Sequence, residues 1–142
     1  KIAVKVFNLS MEGYWRDINR IMIPEFSGVL FVYESYYDSI KKTVELKQLI
    51  FVDEGENIRA KIITHPNYER WRSVLNVNNE LCFSVCYVAK EDRVRVAQAI
   101  IFRHQVMGNN KYQGNFPYDE TVIAIRGKTN SLIENDFSVK AY

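Results

Sequence analysis

Two apolar segments separated by a short polar break constrain the fold of this chain more than any other feature of its sequence. Residues 28–36 are rich in Val, Phe and Tyr, which pack well in β-strands. Residues 38–42 interrupt them with Asp, Ser and Lys, which favour a turn. Residues 43–52 alternate apolar and polar side chains before a continuous apolar run, and residues 57–65 carry isoleucine at helical spacing. The pattern predicts a β-hairpin that leads directly into a helix.

The segment before the hairpin predicts a strand followed by a helix. Residues 1–7 alternate in the manner of a strand. Ser10 can cap the helix that follows, because a serine oxygen accepts hydrogen bonds from free backbone N–H groups of the first turn. Tyr14, Ile18 and Ile21 would then lie at the i, i+4 and i+7 positions of a face that packs on the core.

The segments after the hairpin complete a pattern of strands and helices. Residues 80–89 contain few polar positions, which predicts a strand covered on both faces. Residues 91–105 predict a helix. Its predicted inward stripe consists of Val94, Ala97, Ile101 and His104. The remaining predicted elements are a short helix at 68–75 and strands at 121–125 and 137–139. No repeat or linker divides the sequence, so residues 1–142 are predicted to form a single domain.

Composition narrows the class of protein. The 142 residues suit one domain with its own core, and a hydrophobic content of 47% with 25% charged residues argues against disorder. A net charge of +2 gives the whole molecule little attraction for nucleic acid, although a local basic surface is compatible with it. No apolar run reaches the roughly 18 to 20 residues that span a bilayer, so we expect no membrane partner.

The cysteines bear on the redox environment. Cys82 and Cys86 fall on the same face of a predicted strand. At ~3.3 Å per residue they lie roughly 13 Å apart, too far for a disulfide or for a shared zinc ion. We therefore expect two reduced core thiols and a cytoplasmic location.

Two short motifs in the hairpin resemble those of the GIY-YIG nuclease family. The family opens its first strand with Gly-Ile-Tyr, where this chain has residues 28–30, Gly-Val-Leu. It ends the second strand with Tyr-Ile-Gly, where this chain has residues 51–53, Phe-Val-Asp. The positions that follow match in spacing and partly in residue type: Gly55, Asn57, Lys61 and His65. The segments 13–16, 80–82 and 100–102 are similar to those of one bacterial subgroup of the family, so the resemblance covers most of the chain.

The resemblance implies a fold that agrees with the elements predicted from the residues alone. The expected class is α/β, of the α+β type. Its expected core is a central three-stranded antiparallel sheet flanked by helices, with extra short strands at the N- and C-termini.

The resemblance also implies a hydrolytic site, and this chain lacks most of its reactive groups. The family uses one divalent metal, which clamps the phosphate and neutralises its developing charge. The metal-binding Glu is replaced by Ala97, which offers no oxygen ligand. The hydroxyls of the motif tyrosines are missing at Leu30 and Phe51, and the helix Arg is replaced by Lys61, which lacks the planar fork. Asp53 replaces the last glycine of the second motif and would repel phosphate.

These replacements predict a non-catalytic module that keeps the scaffold as a binding surface. We expect the bound molecule to be nucleic acid, DNA in particular, or a protein, and we expect no cofactor. Asn57, His65 and Asn109 match positions that shape the family's site. The predicted binding residues are Asn57, Arg59, Lys61, His65, Arg103 and Asn109, with Lys111 as a further cation.

The alternative is an active Mg²⁺-dependent endonuclease that cleaves DNA with rearranged ligands. Asp53, Glu54 and Glu56 could then hold the metal beside His65. We expect these acids instead to be solvated turn residues. We also expect His65 and His104 to pack at helix ends rather than to form a catalytic pair.

Overall fold

The structure is a computed structural model that describes residues 3–106, 108–109 and 115–141. Its strands are β1 (Lys5–Arg16), β2 (Gly28–Asp38), β3 (Thr43–Gly55), β4 (Glu80–Tyr87), β5 (Thr121–Gly127) and β6 (Asp136–Val139). Its α-helices are α1 (Ile58–Ile63), α2 (Tyr68–Ser73) and α3 (Arg93–His104), with short 3-10 helices at Asp17–Met22 and Lys90–Asp92.

The hairpin forms where the sequence predicts it. Strands β2 and β3 pair antiparallel along their whole length. Asp38 Oδ1 stabilises the turn by accepting hydrogen bonds from the backbone N–H groups of Ile40, at 2.9 Å, and Lys41, at 3.0 Å. The register shifts at two places, where Ile50 and Lys47 on β3 have no directly opposed residue. Such bulges bend and twist the strand that carries them.

The first strand is longer than the sequence predicts. Instead of ending with residues 1–7, it continues to Arg16. Phe7, Leu9 and Met11 alternate inward and are buried. The strand lies between β4, which pairs with it antiparallel, and β5, which pairs with it parallel. Hydrogen bonds to both neighbours therefore satisfy the backbone groups that a helix would otherwise have paired within itself.

The prediction of a helix after Ser10 is wrong. Tyr14 lies within β1, and the helical turn that follows is the short 3-10 helix at Asp17–Met22. Ile18 and Ile21, expected in the core, are 74% and 59% exposed. Their helical spacing did not predict burial. The residues that would have formed the first turns of the helix pair with β4 instead.

The sheet is larger than the predicted one. Its strand order is β3-β2-β4-β1-β5-β6, in a six-stranded mixed sheet. Strands β3, β2 and β4 are antiparallel neighbours, β5 lies parallel to β1, and β6 is antiparallel to β5. The α+β class is confirmed. The three-stranded central sheet is not, because the three predicted strands are one half of a continuous sheet.

Helices cover both faces of the hairpin half of the sheet. Leu30 and Phe51 belong to an apolar cluster with Ile62 of α1 and Trp71 of α2. Val52, one position along β3, belongs to a second cluster that includes the inward residues of α3. Strand β4 is buried along nearly its whole length, as predicted. No helix in the described ranges is both long and apolar enough to cross a bilayer.

Helix α3 packs with a different stripe from the predicted one. Ala97 and Ile101 are buried, as expected, but Val94 is 44% exposed. The residues that complete the buried face are Val96, Ala99 and Ile100. The buried face of α3 therefore runs through residues 96–97 and 99–101 rather than through Val94.

Both cysteines are free and buried, as the strand spacing predicts. Burial raises the pKa of Cys82 and of Cys86 to about 12, which suppresses the reactive thiolate near neutral pH. We expect native protein to react very slowly with Ellman's reagent. Denatured, non-reduced protein should release two equivalents. Rapid reaction of the folded chain would show that β4 is exposed, and fewer than two equivalents after denaturation would indicate a disulfide.

Candidate functional site

A cleft of about 380 Å³ lies where the second motif ends, between α1, α2 and the segment after α3. Three of the predicted binding residues line it: Lys61, His65 and Asn109. Phe51 and Asp53 contribute the motif positions. We call this site the motif cleft. The other residues that line it are Glu54, Pro66, Asn67, Arg70 and Gly108.

A carboxylate–imidazole pair occupies the floor of the motif cleft. His65 Nε2 lies 2.7 Å from Asp53 Oδ2. On the other side of the ring, the backbone N–H of Asn67 donates to His65 Nδ1 at 3.0 Å. Because Nδ1 accepts, the ring proton is on Nε2 and is donated to Asp53. Both nitrogens of His65 are therefore engaged within the protein.

Aromatic rings hold the imidazole in place. The His65 ring centroid lies 4.4 Å from that of Trp71 and 5.4 Å from that of Phe51. His65 is thus a packed residue at the end of α1, and its orientation is fixed by both stacking and hydrogen bonding. A histidine held in this way cannot turn to take a proton from a water without losing its bond to Asp53 or to Asn67.

Asp53 is not the solvated turn acid that the sequence suggests. Burial alone would raise its pKa, but three groups outweigh that effect and keep the pKa below its usual range. They are the His65 ring, the backbone N–H of Glu54, which donates at 2.8 Å, and the Lys61 ammonium at 3.9 Å. The carboxylate that replaces the motif glycine is thus balanced by partners within the cleft.

The other acids of the segment do not join Asp53 in a metal site. Glu54 Oε1 accepts from Arg93 Nε at 2.9 Å, and the same guanidinium donates to Ser27 Oγ. Glu56 is exposed. Among the described residues, no group of three or more His, Cys, Asp or Glu side chains is placed to hold a metal ion.

Three of the four positions that hold catalytic groups in the resembling family are apolar here and divided between two faces of the sheet; the fourth is Lys61. Leu30 is fully buried in the cluster beneath α1 and α2, together with Phe51. Ala97 is 3% exposed and lies in the cluster beneath α3. Of the three, Phe51 lines the motif cleft and the other two do not.

Tyr33 does not replace the hydroxyl missing at Leu30. Tyr33 belongs to the cluster on the other face of the sheet. Its hydroxyl bonds to Ser84 Oγ at 2.7 Å and accepts from Asn130 Nδ2 at 3.1 Å. Burial raises its pKa, so it has a structural role in the core.

Asn109 joins the segment after α3 to the outer edge of the sheet. Its Oδ1 accepts from the Val52 backbone N–H at 2.9 Å, and its Nδ2 donates to the Val52 carbonyl oxygen at 2.7 Å. The side-chain amide therefore pairs with β3 as a neighbouring strand would. Gly108 lies against the Ile50 carbonyl oxygen so closely that a Cβ there would clash with it.

Asn57 and Arg59 have local structural partners and do not line the motif cleft. Asn57, predicted as a binding residue, caps α1, with its Oδ1 accepting from the Ala60 N–H at 3.0 Å. Arg59 donates to Glu25 Oε1 at 2.9 Å and to the Ile23 carbonyl oxygen at 2.6 Å. Both residues fasten α1 to the segment that precedes the hairpin.

Arg103 lies at a separate place on the molecule. Its guanidinium forms two hydrogen bonds with Glu134, the shorter of 2.6 Å. It lines a different pocket, with the last residues of β6. Lys111, the remaining predicted cation, lies outside the described residues. Of the predicted cations that the structure describes, Lys61 lines the motif cleft, and Arg59 and Arg103 do not.

A larger groove of about 510 Å³ adjoins the motif cleft and shares Phe51, Asn67, Arg70 and Gly108 with it. We call it the side groove. The other described lining residues are apolar or uncharged: Gln48, Leu49, Ile50, Trp71, Val74, His104, Gln105, Val106 and Leu132. Sequence reasoning missed Arg70 and the groove. The sequence feature that could have indicated Arg70 is the predicted helix at 68–75, because it follows His65 closely and carries an arginine near the motif residues.

His104 forms part of the wall of the side groove as a fixed residue. Its Nδ1 donates to the Ile100 carbonyl oxygen at 2.8 Å, and its Nε2 accepts from the Glu134 N–H at 2.9 Å. Burial lowers its pKa below the ordinary 6.5. It packs edge-on against Phe137. His104 and His65 have different hydrogen-bond partners, so they do not form a pair.

Comparison with protein-family models, with curated proteins and with solved structures finds no match to this chain. The GIY-YIG assignment stays a prediction that rests on the motif positions.

Proposed function

We propose that this chain is a GIY-YIG-like domain that does not hydrolyse phosphodiesters and serves as a module for binding another protein. The observation that best supports this proposal is the internal pairing of the charged groups around the motif cleft. Asp53 is engaged by His65 and Lys61, and Glu54 by Arg93. A site that uses its charges to hold itself together has few left for a metal or for phosphate.

The groups needed for metal-assisted hydrolysis are missing or occupied. A hard cation needs oxygen ligands, and Ala97 offers a buried methyl group on the far side of the sheet. An attacking water needs a base or a hydroxyl to orient it. Leu30 and Phe51 have no hydroxyl, and both nitrogens of His65 are already bonded.

The charge pattern supports a protein partner over nucleic acid. Binding a phosphate backbone draws most of its affinity from several unpaired cations on one surface. Here Arg59 is paired with Glu25, Arg103 with Glu134, and Lys61 lies 3.9 Å from Asp53. Phosphate would have to displace each carboxylate. We further propose a reducing compartment such as the cytoplasm, because Cys82 and Cys86 are free thiols.

A paired assay tests the function. We expect no nicking of supercoiled plasmid in Mg²⁺ or Mn²⁺, and weak binding of a labelled oligonucleotide that Lys61→Ala and Arg59→Ala leave unchanged. Metal-dependent cleavage that Asp53→Ala abolishes would refute the non-catalytic assignment, because a contaminating nuclease would not respond to that change. Oligonucleotide binding that falls steeply with salt and is lost in Lys61→Ala would replace the protein partner with nucleic acid.

A further inference from the structure

Among the described residues, the side groove combines a mostly apolar lining with one cation, Arg70. Leu49, Val106 and Leu132 supply aliphatic surface, and Trp71 closes one wall. None of the described residues that line the groove is an aspartate or a glutamate. Its volume of about 510 Å³ falls within the range of about 300–1,000 Å³ typical of sites that enclose a ligand. The groove is therefore large enough for one or two large side chains of a partner.

Arg70 lies at the junction of the side groove and the motif cleft, and lines both. Its side chain is on an exposed face of α2. Within the described part of the chain it takes part in no ion pair, in contrast with Arg72 on the same helix, which lies 3.7 Å from Glu69. An arginine guanidinium offers paired donors that match a carboxylate.

One of the residues that line the groove, Trp71, also carries a buried polar group. The Trp71 indole N–H is buried and has no hydrogen-bond partner among the described residues. Buried N–H groups of this kind normally find one, so the absence is unusual for a native site. Trp71 also contacts Phe51 and His65, which couples the groove to the motif cleft.

We propose that the side groove binds a peptide segment of a partner protein in which a large apolar side chain adjoins a carboxylate. The apolar side chain fills the groove beside Trp71, and the carboxylate pairs with Arg70. This inference rests on the proposed binding function and names the chemistry of its partner. Contacts are made through side chains rather than by adding a strand, because Asn109 already holds the Val52 backbone and β3 bulges at Ile50.

The charge of the side groove favours a peptide ligand over a nucleic acid. One unpaired cation beside an apolar cavity complements one carboxylate beside an apolar group. A nucleic acid strand would present a phosphate at every nucleotide, and the next cation in the cleft, Lys61, lies beside Asp53. A strand that passed from Arg70 into the motif cleft would therefore meet the Asp53 carboxylate.

Titration of the ¹⁵N-labelled chain with the peptide acetyl-Ser-Phe-Glu-Ser-amide, followed by NMR, tests the proposal. We expect shifts of the Trp71 indole N–H and of the amides of Leu49 and Val74. Arg70→Gln should weaken binding about tenfold, because it removes one charge-assisted contact. Arg72→Gln is the matched control on the same helix and should bind as the unaltered chain does. The peptide with Gln in place of Glu should lose the same factor.

A second variant tests the cavity independently of the charge. Val74 lines the groove and is 52% exposed, so Val74→Trp can fill the opening without disturbing the core. It should abolish the peptide-dependent shifts while leaving the thermal unfolding midpoint unchanged.

Other outcomes would overturn the inference in distinct ways. Absence of shifts in the groove, or equal binding by the Glu and Gln peptides, would reject the peptide site while leaving the non-catalytic assignment in place. A thymidine oligonucleotide that shifts the same amides and loses affinity in Arg70→Gln would make nucleic acid the ligand. Plasmid cleavage would instead reject the proposed function itself.

Discussion

Ala97→Glu, the change that restores a carboxylate at the metal position of the resembling family, is expected to destabilise the chain by about 3–5 kcal/mol. Ala97 is 3% exposed and lies in the apolar cluster beneath α3. A glutamate there would be buried among apolar side chains, and Arg93, four residues earlier on α3, is already paired with Glu54. The expected result in urea unfolding is a strongly lowered midpoint, with no metal-dependent recovery.

Gln98→Glu provides the matched control for this prediction. Gln98 is the next residue on α3 and is half-buried. The same carboxylate there can reach water, so the change should stay within about 1 kcal/mol of the unaltered chain. If Ala97→Glu were as stable as Gln98→Glu, or gained stability with Mg²⁺, the side chain at 97 would face a solvated cleft. The hydrolytic alternative would then regain its missing ligand.

Glu34→Leu is expected to lower the free energy of unfolding by about 3 kcal/mol, because it removes a buried carboxylate that accepts four hydrogen bonds. Glu34 is 1% exposed on β2. Its Oε1 accepts from Gln48 at 2.7 Å, and its Oε2 accepts from the backbone and side chain of Asn76 and from the side chain of Asn79. The carboxylate thus holds the loop before β4 onto the hairpin.

Glu34→Gln is the conservative partner of this variant. Its amide oxygen can keep the bonds to Asn76 and Asn79, and the Gln48 amide can turn its oxygen toward the new NH₂ group. We expect most of the stability lost in Glu34→Leu to be retained. Equal loss in the two variants would show that the negative charge itself, and not the set of acceptors, holds the loop.

Glu34→Gln also tests how the charge of Glu34 makes the stability of the chain depend on pH. Burial alone would raise the pKa of Glu34, but the hydrogen bonds from Asn79, Asn76 and Gln48 hold it below its ordinary 4.5. A folded pKa below the unfolded one contributes stability that is present above pH 4.5 and is lost as the pH falls through the folded pKa. Unfolding measured through this range should show a weaker acid dependence in Glu34→Gln than in the unaltered chain.

Local sequence patterns predicted the elements whose causes are local. The hairpin could be found because two apolar segments flank Asp38, whose side chain closes the turn. Helix α1 could be found because its buried residues, Ile58 and Ile62, recur at helical spacing. The N-terminal segment could not be predicted in the same way. Whether residues 10–16 form a helix or a strand depends on β4, a distant segment that accepts and donates its hydrogen bonds.

The candidate site was predictable in position but not in its contacts. Motif spacing placed Phe51, Lys61 and His65 together, and the structure brings all three to one cleft. Motif spacing could not reveal that Asp53 bonds to His65, because that bond depends on how the end of α1 folds back on β3. The counter-ions of Arg59 and Arg103 were equally hidden, since Glu25 and Glu134 lie far from them in sequence.

The side-chain amide of Asn109 has a consequence for the behaviour of the protein at high concentration. Strand β3 is the outermost strand on its side of the sheet, and a long outer strand invites a second molecule to add to it. Asn109 occupies the backbone of Val52, and the bulges at Lys47 and Ile50 break the straight row of donors and acceptors that such addition requires. The residue that shapes one side of the cleft therefore also protects the chain against edge-to-edge aggregation into fibres.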